Sequence, residues 1–150
     1  MSHSSSESSA KARWAAVAIP AGWVVAGVLL LSTAVTRWFR SGPGSRFGGL
    51  ELADSIRSGV VSPSWGVWVA AAVYILVGLG GVFIATATLR HPAVVIPRGV
   101  LCALCLAGFI AMGVRAIPPS NWSSGPTMAS LSFALAVTLS AAQLLTHTRK

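Results

Sequence analysis

Two cysteines stand at redox spacing, Cys102-Ala103-Leu104-Cys105. Such a pair can cycle between dithiol and disulfide if one sulfur is held as thiolate, which needs a cation or a helix N-terminus beside it. Arg98, one helical turn before Cys102, is the only charge nearby, and Cys102 lies ten residues into an apolar run. The same pair therefore also reads as two small apolar residues at a helix contact, and there is no third cysteine to pass electrons on. The three histidines, His3, His91 and His147, fall in a tail or at helix ends, positions for solvated or headgroup-bound side chains and not for haem ligation across a bundle. No Asp, Glu or Lys lies within an apolar run, whereas proton-coupled transport rests on an intramembrane acid. No nucleophile–base pair is visible. These absences lead to the expectation of a non-enzymatic protein with no catalytic residue, no cofactor and no metal.

The elements explain the shortage. Of 150 residues, 54% are apolar and 9% charged, with mean hydropathy +0.73; a soluble domain carries about 25% charged residues. The serine-rich start MSHSSSESSA cannot bury a core, so residues 1–13 are expected as a disordered tail. Residues 14–36 then run uncharged for 23 positions, about 34 Å of helix, against a bilayer core of about 30 Å. A signal peptide is the rival reading, with Lys11 and Arg13 as its basic region and Ser32-Thr33-Ala34 as its cleavage site. The run exceeds the usual signal core of roughly 7–15 residues, so a retained anchor is expected. Further spans are expected at 66–88, 93–114 and 127–145, followed by a tail at 146–150. Arg98 sits five residues inside the third span, where it could snorkel to the headgroups. The expected fold is an all-α membrane protein, a four-transmembrane-helix bundle with a short amphipathic helix in its first outer loop.

Small residues recur every fourth position in the spans: Ala18, Gly22 and Ala26; Gly99, Ala103, Ala107 and Ala111; Ser130, Ala134, Thr138 and Ala142. Lipid supplies no hydrophobic drive between helices, so close backbone approach must hold them together. The stripes serve packing within the chain or contact with another subunit or a second copy. Gly78, Gly80, Gly81 and Ala85 form a weaker version in the second span, and Pro20 is expected to bend the first.

The loop from 37 to 65 opens with Arg37-Trp38-Phe39-Arg40 and is broken at Gly42, Pro43 and Gly44. In GGLELADSIRSG, a helix over 49–58 would place Leu52, Ala53 and Ile56 on one side, with Glu51 and Asp54 on the other. It would either lie on the membrane as a docking surface or pack back on its own bundle. Trp38, Trp65, Trp68 and Trp122 collect at the same interface.

The +8 charge is met by anionic lipid through juxtamembrane residues; without a basic reading face outside the membrane, no nucleic acid is expected. Six Lys and Arg on the side of both termini against five on the other place the termini in the cytoplasm and the protein in the plasma membrane. Nine Arg against two Lys, abundant Ala, Gly and Val, and an SGPGS turn at 41–45 before GLELADSIRSG make the chain resemble small four-span membrane proteins of actinobacteria. That resemblance brings no catalytic residues with it. In span number and CxxC the chain is also similar to the vitamin K epoxide reductase and disulfide-bond quinone reductase families, but it lacks their loop cysteine pair. It shares the long first loop of claudins without their Trp-Gly-Leu-Trp or loop cysteines. The expected function is an accessory subunit or assembly factor of a larger plasma-membrane complex, handling envelope lipid or respiration, whose partners are the bilayer and other membrane subunits or itself. A carrier or channel for a lipid or neutral solute is the alternative, and a quinone-linked thiol oxidoreductase a lesser one.

Overall fold

The computed structural model of the chain describes residues 3–60, 66–89, 91–116 and 119–148. Five helices follow in order: α1 (His3–Ser32), α2 (Gly49–Arg57), α3 (Gly66–Ala85), α4 (Pro92–Ala116) and α5 (Ser124–Thr148). Two 3-10 turns, Pro43–Arg46 and Pro119–Asn121, lie between them, and there is no strand among the described residues. Three stretches, Val67–Ala85, Ala93–Ala111 and Ser124–Thr146, are long and apolar enough to cross a membrane; α1 adds a shorter apolar stretch, Ala16–Ser32. This is the architecture of a multi-pass α-helical membrane protein.

Local chemistry sets the ends of the helices. α1 begins at His3, so the serine-rich segment expected as a disordered tail continues the first helix instead. No Gly or Pro interrupts the sequence before Pro20, and Ala10, Lys11 and Ala12 favour helix. α1 also stops at Ser32 and not at residue 36. There Thr33 turns its hydroxyl onto the Leu30 carbonyl at 2.6 Å, and its N–H bonds the same carbonyl at 3.1 Å, a 3-10 closure. α4 opens with His91, whose Nδ1 accepts from the Ala93 N–H at 3.3 Å, followed by Pro92 at the first helical position.

α1 packs between α3 and α5, α4 packs mainly on α5, and α2 packs on α3. Glycine allows the closest crossing. A Cβ on Gly27 would stand 2.8 Å from the Gly80 carbonyl oxygen, and one on Gly80 would stand 2.9 Å from the Gly27 oxygen, so the α1 and α3 backbones touch. Trp23 and Phe83 meet edge to face beside this crossing at 5.1 Å. α5 ties to α1 through Ser132, whose hydroxyl donates to the Ala26 carbonyl at 2.7 Å. Such interhelical hydrogen bonds and close contacts take the place of the hydrophobic drive that lipid does not supply.

Candidate functional site

A charged residue lies inside the bundle. Arg98 is 5% exposed. Its Nη1 donates to the Thr86 carbonyl at 2.9 Å and to the Thr86 hydroxyl at 3.1 Å, and its Nη2 donates to Gln143 Oε1 at 3.0 Å. The Trp23 ring lies 3.6 Å from the guanidinium carbon, and the indole N–H donates to the same Gln143 oxygen at 3.2 Å. Arg98 Nε is buried without a hydrogen-bond partner. The expected snorkelling to the headgroups is thus corrected: the side chain turns inward. A guanidinium always carries its charge and offers five donors, and here a carbonyl, a hydroxyl, an amide and a π-face receive it from α1, α5 and the turn just after α3. No carboxylate lies within ion-pair distance among the described residues. Because arginine does not deprotonate in proteins, the cluster cannot relay protons; it is a fixed cation that joins α1, the end of α3, α4 and α5.

At the other end a cap closes the bundle. Trp38 is buried, with its indole N–H on the Thr33 carbonyl at 3.0 Å and its ring 6.3 Å from Phe109. Phe109 in turn meets Trp122 at 5.8 Å. Antiparallel bonds join the segment after α1 to the start of α5: Gly125 N–H to the Arg37 carbonyl at 2.8 Å, Ser123 N–H to the Trp38 carbonyl at 3.2 Å, and Arg40 N–H to the Asn121 carbonyl at 3.0 Å. Helix α2 packs on α3 with Leu52 and Ala53 buried, Ile56 half-buried, and Glu51 and Asp54 exposed. Glu51 accepts from the Gly48 N–H at 3.1 Å, satisfying one orphan donor of the helix start. The apolar side of α2 packs on its own bundle. Beside the zipper Arg37, Arg40 and Arg46 line an open cleft.

The residues expected at helix contacts divide into two groups. Ala26 is fully buried between α1 and α5, Gly22 lies against Leu139, and Gly99 lies against Ser140. Ser130 and Ala142 are half-buried. Ala18, Ala103, Ala107, Ala111, Ala134 and Thr138 are exposed, outside the contacts within the chain. Of the interfacial residues, Trp38 and Leu52 are buried, Ile56 and Trp122 half-buried, and Trp68 largely exposed on α3; Trp65 lies outside the described residues. Cys102 is fully buried, Cys105 half-buried, and both thiols are free. Among the described residues no three His, Cys, Asp or Glu side chains gather as a metal site.

The sequence reading missed Thr86, Gln143 and Trp23 as partners of Arg98, and Gly27 and Gly125 as close-approach sites. One signal was available: Gln143 is the only glutamine in the chain, and it stands within an apolar run. No protein family, curated protein or solved structure matches this chain.

Proposed function

We propose that this chain is a non-catalytic four-span membrane protein that serves as an accessory or assembly subunit of a larger complex, docking through α4. The observation that carries the reading is the one-sided packing of that helix. Only 22% of its apolar stretch is buried, against 33% for α3 and for α5. Its inward face is Val95, Arg98, Cys102 and Phe109, while Ala103, Ala107 and Ala111 line an outward stripe between Val100, Leu104 and Ile110. Small residues four apart admit a second helix at close range. The four-span reading is supported by the position of α1, whose Trp23, Ala26 and Leu30 are fully buried between two helices long enough to span. An even number of spans puts both termini on one side; with Arg98 inside the bundle, five Lys and Arg remain on each side.

Extraction at native expression into a gentle detergent, followed by native mass measurement, tests the reading. The expected result is a particle well above the 15.4 kDa of one chain, containing another membrane protein and lost on Ala107→Trp. A lone monomer overturns it.

A further inference from the structure

A cleft of about 380 Å³ opens at the capped end, lined by Arg37, Phe39, Arg40, Ser45, Arg46 and Ser123. Its walls are fixed. Arg37 and Arg40 stand on the zipper with residues 121–125, and Ser41 adds two bonds to Asn121 Oδ1, from its N–H at 3.0 Å and its hydroxyl at 2.8 Å. Arg46 ends the 3-10 turn Pro43–Arg46, which Ser45 closes by donating from N–H and hydroxyl to the Gly42 carbonyl at 3.1 and 2.8 Å. Phe39, which also lines the cleft, is buried.

Three arginines thus line one open cleft, and none has a carboxylate within ion-pair distance among the described residues. The two acids at this end are committed elsewhere: Glu51 to the Gly48 N–H at 3.1 Å, Asp54 to Arg57 at 3.0 Å. Three like charges on one cleft repel one another, and an anion between them turns that repulsion into attraction. The planar fork of arginine matches the oxygen geometry of phosphate, and Ser123 in the cleft lining carries a hydroxyl of the kind that donates to it. We propose that this cleft binds a phosphate group. Two sources share that chemistry, the headgroup of an anionic phospholipid and a free phosphate in solution. The cleft follows directly on the apolar part of α1, within reach of both.

The test uses the full chain in neutral detergent. Native mass spectrometry with equal phosphatidylglycerol and phosphatidylcholine is run beside a calorimetric titration with inorganic phosphate. The expected result is a preference of about tenfold for phosphatidylglycerol, lost in Arg40→Gln/Arg46→Gln and kept in Arg57→Gln, whose charge is already paired. Binding of inorganic phosphate through the same arginines, without a lipid preference, supports the site and assigns it a soluble source. Neither response in the parent protein, or a response that survives the double substitution, overturns the proposal. Arg46→Gln alone, with a circular-dichroism melt, separates loss of binding from loss of fold.

Discussion

The Arg98 guanidinium carbon stands over the Trp23 indole at 3.6 Å, and both side chains donate to one oxygen, Gln143 Oε1, at 3.0 and 3.2 Å. A cation stacked on an aromatic face gains about 2 kcal/mol when desolvated, and the shared acceptor fixes both partners of the contact in place. The cluster makes α4, which otherwise packs mainly on α5, a partner of α1 and of the end of α3.

Removing the acceptor while leaving the charge is the costly change. Gln143→Leu leaves Arg98 Nη2 and the Trp23 indole N–H without their acceptor and is expected to destabilise the bundle by about 1–3 kcal/mol. Arg98→Met together with Gln143→Leu removes charge and acceptor at once and should cost less than Gln143→Leu alone. Denaturant titration in micelles measures both; a double variant weaker than the single would contradict the account.

The α1–α3 crossing gives a second test. A Cβ on Gly27 meets the Gly80 carbonyl at 2.8 Å and Ile84 Cγ1 at 2.6 Å, whereas one on Gly78 meets nothing within 4 Å. Gly27→Ala should cost about 1–3 kcal/mol through backbone separation, and Gly78→Ala should be neutral or slightly stabilising through helix propensity. Thermal melting in detergent ranks the two, and equal melting points would argue against a close crossing.

Trp38 is the keystone of the cap. Trp38→Phe keeps most of the ring but leaves the Thr33 carbonyl without the indole donor, an expected cost of about 1–2 kcal/mol. Trp38→Ala also opens a cavity beside Phe109 and should cost about 3–5 kcal/mol. Gly125→Val tests the same contact from the other side, since a Cβ there would stand 2.8 Å from Trp38 Cδ1. Protease sensitivity of the loop from 37 to 48 is the readout for all three, and cleavage no faster than in the parent would count against the cap.

Helix α2 was legible because three local signals agree in one short segment: breakers at Gly42–Gly44, an apolar face at Leu52, Ala53 and Ile56, and Gly59 as the stop, which the structure holds at φ 77°. The burial of Arg98 was not legible. Its depth in the span could be counted along the chain, but its acceptors lie 12 and 45 residues away on other segments. The spacing of small residues in α4 was visible too, yet period alone does not say which way a helix is turned. Val95, Arg98, Cys102 and Phe109 share the inward side, which leaves Ala103, Ala107 and Ala111 outward.

The seat of α2 can be probed chemically. Leu52 and Ala53 are buried against the bundle, while Asp54 and Arg57 pair in the open with side chains 64% and 76% exposed. Burial of a Leu-sized side chain is worth roughly 1.5–3 kcal/mol, against a few tenths for an exposed pair, so apolar contact should decide where the helix rests. Leu52→Asp with Ile56→Asp should release it, and Asp54→Ala should not. In a background with Cys102 and Cys105 replaced by alanine, a cysteine introduced by Ala53→Cys should resist a water-soluble maleimide in the parent and react in the double variant. Rapid labelling of the parent would show that α2 does not pack on the bundle. Labelling of the released variant only from the cytoplasmic side would place this cap inside the cell, with both termini outside.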